Sequence, residues 1–168
     1  EISATRYASP TSKSCCVDSL DAAILGATEI DTDFNVNVHT DSNGCLMGGS
    51  GGHTDAAAGA KLTMILAPLV RARLPIVTDR VTCISTPGAS IDVLVTQRGI
   101  AVNPLRPELA DKLRQAGLPV VDIHDLKARA ESITGVPRRI PRGDRSVAQV
   151  LGRDGTLQDT VWNLPEEL

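Results

Sequence analysis

Gly48-Gly49-Ser50-Gly51-Gly52-His53-Thr54-Asp55 packs four glycines into five positions and closes on three hydrogen-bonding side chains. Glycine adopts positive φ at no steric cost and lets a ligand come up against bare backbone N–H groups. The run that follows, Asp55-Ala56-Ala57-Ala58-Gly59-Ala60, is made of small residues. Such a loop suits a nest or a helix N-terminus that holds phosphate, carboxylate or a developing oxyanion, with a flexible surface loop as the alternative. Gly48, Gly49, Ser50, Gly51, Gly52, His53 and Asp55 are therefore candidate ligand contacts. Neither standard phosphate fingerprint is present: no Gly-Lys-Ser/Thr ends the loop, and the spacing is not G-x-G-x-x-G.

Upstream of the loop, Asp31-Thr32-Asp33-Phe34-Asn35-Val36-Asn37-Val38-His39 alternates apolar Phe34, Val36 and Val38 with Asn35, Asn37 and His39. Period two predicts a strand with the apolar trio on one face. The polar face is either solvated, or Asn35 or Asn37 offers an amide N–H to a substrate oxygen. Asp41-Ser42-Asn43-Gly44 reads as a turn that delivers the chain into the glycine loop, so the polar strand face and the loop are expected to be neighbours. Further back, Leu20 to Ile30 is nearly continuous in small and branched apolar residues, which fits one strand buried on both faces or a short helix. Residues 1–16 read as a lead-in segment ordered only if something upstream holds it, and residues 17–168 as one domain. Because residue 1 is Glu, the chain is expected to be a piece of something longer.

Downstream, residues 61–67 read as a buried strand stopped by Pro68, and residues 76–85 as a strand of high β-propensity ended by Pro87-Gly88. Val93-Leu94-Val95-Thr96 and Ile100-Ala101-Val102 flank Gln97-Arg98-Gly99, a hairpin signal. Glu108–Gln115 and His124–Ile133 read as helices stopped by Gly117 and Gly135, with a short strand over 120–123 between them. Asp154-Gly155-Thr156 marks the turn of a terminal hairpin whose second strand carries Val161 and Trp162. Arg71, Arg73 and Arg80 are either solvated or meet ligand anions. Arg138, Arg139, Arg142 and Arg145, broken by Pro141 and Gly143, read as a solvated linker.

Composition removes several function classes. The net charge is −3, and Tyr7, Phe34 and Trp162 are the only aromatics, so neither nucleic acid nor an anionic membrane is an expected partner. No apolar run approaches the ~20 residues that span a bilayer. Cys15, Cys16, Cys45 and Cys83 lack C-x-x-C spacing, which points to reduced thiols in the cytoplasm, with zinc as the sharper alternative and no metal expected. Gly-x-Ser-x-Gly occurs at Gly48–Gly52, but a nucleophile elbow needs a strand before it and a true helix after it. Here a turn precedes it and an Ala/Gly run follows. Asp31, Asp33 and Asp41 lack the spacing and terminal Glu of a calcium loop.

The ordered motifs Gly26–Val38, Gly49–Asp55, Val77–Thr82, Thr86-Pro87-Gly88, Asp92–Thr96 and Gly99–Pro104 closely resemble the C-terminal half of the citrate lyase alpha-chain family, within the glutamate-dependent CoA-transferases. The resemblance implies a mixed α/β domain of the CoA-transferase type, a mixed sheet with flanking helices. It implies exchange of acetyl for citryl on the CoA-like (phosphoribosyl-dephospho-CoA) prosthetic group of an acyl carrier protein, with no permanently bound cofactor. A lyase (beta) subunit, a carrier (gamma) subunit, citrate and acetate are the implied partners, in an oligomer. In such transferases a glutamate attacks the thioester, and each oxyanion needs fixed donors worth about 3 to 4 kcal/mol apiece. By resemblance Asn37, or Asn35 beside it, and the backbone of Gly51 and Gly52 line that site. The nucleophilic glutamate is expected upstream of Glu1, with Glu29 structural, so the chain alone is expected to be inactive. A non-catalytic CoA- or pantetheine-binding module and an assembly domain are the alternatives.

Overall fold

The computed structural model describes residues 1–12, 14–139 and 141–165. Helix α1 (Ala4–Ala8) opens the chain, its first turn capped by the Ser3 hydroxyl, which accepts from the Arg6 N–H. A 3-10 turn (Cys16–Ser19) leads to the short strands β1 (Ala23–Leu25), β2 (Glu29–Asp31) and β3 (Val36–Asn37). Beyond the glycine loop come helix α2 (His53–Gly59), β4 (Thr63–Leu66), the hairpin β5 (Val70–Arg71) and β6 (Leu74–Pro75), and β7 (Val77–Thr78). Then follow a 3-10 turn (Gly88–Ser90), the hairpin β8 (Val93–Thr96) and β9 (Gly99–Val102), helices α3 (Pro107–Gln115) and α4 (Ile123–Thr134), and the hairpin β10 (Ser146–Leu151) and β11 (Leu157–Trp162).

Two mixed sheets organise the molecule, in keeping with the expected fold class. One has the order β1-β4-β8-β9, with the first three strands parallel and β9 antiparallel; the other is β3-β2-β7. Ile30, Phe34, Val36, Ile65, Leu69, Ile76, Val77, Ile91 and Leu94 share one core, onto which α4 lays Ile123, Leu126 and Ala130. Asp122 caps α4 by accepting from the His124 N–H at 2.8 Å, and Gly135 ends it at φ 75°.

Several expectations fail where long-range bonds outweigh local pattern. The stretch 20–30 is two strands in different sheets: the Gly26 and Ala27 carbonyls turn away to His53 and Arg71, at 2.9 and 3.0 Å. The alternation at 34–38 is not one half-exposed strand. Phe34 sits at φ 64° in a turn closed onto Asp31, and both Val36 and Asn37 are fully buried. Of residues 76–85 only Val77–Thr78 pair as a strand, and of 120–123 only Val120 bridges, to Ile100.

The lead-in segment packs against the rest of the chain. Tyr7, Ala8, Cys15 and Val17 cluster, and Arg153 from the terminal hairpin donates to the Ala8 carbonyl (2.7 Å), Asp18 (2.8 Å) and Cys15 Sγ (2.7 Å). All four cysteines are free. Among the described residues no helix is long and apolar enough to cross a membrane.

Candidate functional site

The turn at Asp41–Gly44 forms as its composition predicts, with the Asp41 carboxylate accepting from the Asn43 and Cys45 N–H groups at 2.9 Å each. The chain then doubles back: Thr40 bridges Leu46, and the Met47 N–H donates to the His39 carbonyl at 2.8 Å. This places the glycine loop beside the end of β3, the neighbourhood expected from sequence. Gly48, Gly49 and Gly51 are exposed, and Gly51 takes the left-handed φ of 58° that glycine allows. At the loop's exit Gly52 lies under Tyr7; a Cβ there would stand 2.6 Å from the ring. The small-residue run then forms α2, a true helix, with Asp55 in its first turn.

His53 anchors the loop from below. Its Nε2 lies 2.9 Å from the Gly26 carbonyl, which only accepts, so Nε2 carries the proton and Nδ1 accepts from the Thr86 hydroxyl at 2.8 Å. Thr54 donates to the Ser85 carbonyl at 2.7 Å and sits 3.0 Å from Thr86 Oγ1. Ser85 Oγ accepts from the Val38 and His39 N–H groups at 2.9 and 3.2 Å and donates a hydrogen bond to His39 Nδ1. Burial holds both histidines below the ordinary imidazole range; for His53 the Gly26 bond opposes this and the charge of His39 adds to it. Two neutral imidazoles organise hydroxyls and carbonyls here; they supply no positive charge.

The two asparagines expected to face substrate are spent inside the chain. Asn37 has no exposed surface; its Nδ2 donates to Glu29 Oε2 (3.1 Å) and Thr40 Oγ1 (2.9 Å), and its Oδ1 accepts from the His39 and Thr40 N–H groups (3.1 Å each). Asn35 ties Asp31 (3.2 Å) to the Gly88 N–H (2.9 Å). Glu29, 4% exposed, accepts from the Thr82 N–H at 2.9 Å and its hydroxyl at 3.3 Å, a structural part. Asn37 thus pins the segment after β3 that carries His39 and stands behind the wall formed by Glu29 and Thr40.

That wall belongs to a cavity of about 310 Å³ between the 42–44 turn, residues 78–83, residues 136–139 with Pro141 and Arg142, and the end of β11. Arg80, Arg138, Arg139 and Arg142 line it, and among the described residues no carboxylate pairs with any of the four. The acids Asp79 and Glu131 are held instead by Lys127, each at 3.0 Å. Thr78 contributes a buried hydroxyl oxygen with no partner among the described residues. Cys83 in the same wall is pushed up to about 12, chiefly by burial and then by Asp159, so it remains a thiol. The arginine-rich stretch read as a linker is fastened here: the Gly143 N–H donates to the Asn163 carbonyl at 2.7 Å, and Arg139 reaches the Arg80 carbonyl at 3.2 Å.

Sequence reading did not single out Ser85 and Thr86, whose hydroxyls bond His39 and His53 from more than thirty residues away. The Thr86-Pro87-Gly88 motif was the available signal.

The family described as "Citrate lyase, alpha subunit" matches residues 1–164. The chain is 56% identical over 161 residues to the citrate lyase alpha chain of Klebsiella pneumoniae, covering 96% of this chain and 32% of that relative. It is 53% identical over 166 residues to the citrate lyase alpha chain of Escherichia coli K12, covering 99% and 32%. Among solved structures, an alpha subunit of citrate lyase from Streptococcus mutans, crystallised in complex with citrate, superimposes with a TM-score of 0.95 at 47% identity, covering 99% of this chain and 32% of that one. The chain therefore spans about a third of the length of the relatives it matches. A match along nearly all its residues, at these identities and on the same fold, means that the chain belongs to the citrate lyase alpha-subunit family.

Proposed function

We propose that this chain is one part of an acyl-thioester exchange centre of the CoA-transferase type, in which acetyl on the CoA-like prosthetic group of an acyl carrier protein is replaced by citryl. The observation that carries this reading is the exposed glycine main chain at 48–51, fixed at its exit by His53 and Tyr7, in a chain matched throughout to the family. In this scheme a glutamate outside the chain attacks the thioester carbonyl; the C–S bond breaks and an acyl-glutamyl anhydride forms. The released thiolate attacks the glutamyl carbonyl, acetate leaves, and a glutamyl thioester remains. A citrate carboxylate then displaces the thiolate, which returns to the citryl carbonyl and frees the glutamate.

The Gly51 and Gly52 N–H groups are the proposed oxyanion donors, and Gly48, Gly49, Ser50 and Asp55 the surrounding ligand contacts. Asn37 is a positioning residue, and Asn35 stabilises the turn behind it. Arg80, Arg138, Arg139 and Arg142 line the 310 Å³ cavity without a carboxylate partner among the described residues, so the carboxylates of citrate are assigned to them. The proposed setting is a cytoplasmic oligomer with lyase and carrier subunits.

The test uses a family-length polypeptide carrying this chain, incubated with an acetyl thioester and analysed by mass spectrometry. The expected result is an adduct trapped on a glutamate outside residues 1–168, with no exchange by this chain alone. Exchange by this chain alone, abolished by Glu29→Gln, would overturn the proposal. Thioester binding with no adduct in the longer protein would make it a non-catalytic binding module.

A further inference from the structure

The sheet β1-β4-β8-β9 has two faces of unequal fate. Register aligns Leu25, Ile65, Leu94 and Ala101 across it on one side, and of these Ile65, Leu94 and Ala101 are buried in the main core with α4. On the other side register aligns Ile24, Met64, Val93 and Val102, and two residues along Leu66, Val95 and Ile100. All seven are apolar. Yet Ile24 is 66% exposed and Leu66 57% exposed, and Met64, Val95, Ile100 and Val102 are only half-buried. Helix α3 packs near β9, which leaves the β1–β4 half of this face open.

Val93 of β8 on this face is buried, but two adjacent parallel strands with an uncovered apolar face are physically anomalous, because parallel strands occur with both faces covered and read as continuous apolar runs for that reason. The sequence around β1 and β4 has that character: it is written for burial on both sides. The same fold recurs with a TM-score of 0.95 inside a chain of which this one covers 32%, so about two thirds of that longer polypeptide lies outside the part matched here. No charged side chain lies on the face, so a polar or ionic partner has nothing to pair with.

We propose that the Ile24–Met64–Leu66 face is the seat of the additional polypeptide carried by the longer family members, which lays an apolar layer across β1 and β4. The inference is independent of the acyl-exchange chemistry.

Thiol labelling tests it. In a family-length polypeptide with Cys16→Ser and Cys45→Ser, Ile24→Cys and Leu66→Cys are introduced separately. Leu157→Cys on the terminal hairpin, 58% exposed, is the control. Residues 24 and 66 are expected to react roughly a hundredfold more slowly than residue 157. In this chain alone all three are expected to react at comparable rates. Equal rates at all three positions in the longer polypeptide would overturn the proposal. So would protection in this chain alone that deepens with concentration, since a second copy would then be the cover.

Discussion

Asn37 illustrates how a polar side chain without exposed surface governs its surroundings. Replacing it by leucine leaves the Thr40 hydroxyl and N–H without their partner in a closed space, while Thr82 still serves the Glu29 carboxylate and Ser85 Oγ the His39 N–H. The expected cost is about 3 kcal/mol or more, read from urea unfolding by circular dichroism. A near-neutral result would mean that water replaces the amide. The histidines make a second residue-scale prediction. Their native values lie below the unfolded value of about 6.5, so in that window the unfolded chain binds protons that the native chain does not. Stability therefore rises with pH through the window and falls as pH drops below about 6.5. Urea midpoints at about pH 7.5 and about pH 5.5 should show the loss, and His53→Gln should make the slope shallower. An unchanged slope would assign the whole effect to His39.

At the scale of elements, local chemistry was readable wherever a residue carries its own instruction. Helix α4 was legible because Asp122 caps it and Gly135 releases it; the β8–β9 hairpin was legible from Gly99, which sits at φ 147°. The β5–β6 hairpin was not, because its turn uses Ala72 and Arg73 at φ 48° and 69°, positions where Asn and Gly are the usual occupants. The substitutions Ala72→Asn and Arg73→Gly together should stabilise the protein by about 1 kcal/mol, visible as a higher Tm. No gain would mean that Arg73 makes up for its own strain. The break between β1 and β2 was equally hidden, since it depends on a histidine and an arginine far along the chain capturing two successive carbonyls.

For the whole molecule, the terminal hairpin has an apolar cluster separate from the main core. Val150 and Val161 pack with Cys83 in a small cluster of their own, apart from the core under the two sheets. Trp162 lies at the end of that hairpin and is the sole tryptophan. Its fluorescence should therefore report unfolding at lower urea than far-UV circular dichroism does; coincident transitions would show one cooperative unit. The candidate site was legible to a similar degree. Its glycines announce themselves through composition, whereas the hydroxyls of Thr54, Ser85 and Thr86 acquire meaning only when tertiary structure gathers them around two rings.

Arg153 fastens a carbonyl 145 positions earlier in the chain. The two partners of that bond are made far apart in time, so helix α1 is synthesised long before its clasp and must wait unsecured until Arg153 follows. The interval between the appearance of Tyr7 and that of Arg153 is a built-in delay, during which the ring that belongs over Gly52 has no fixed address.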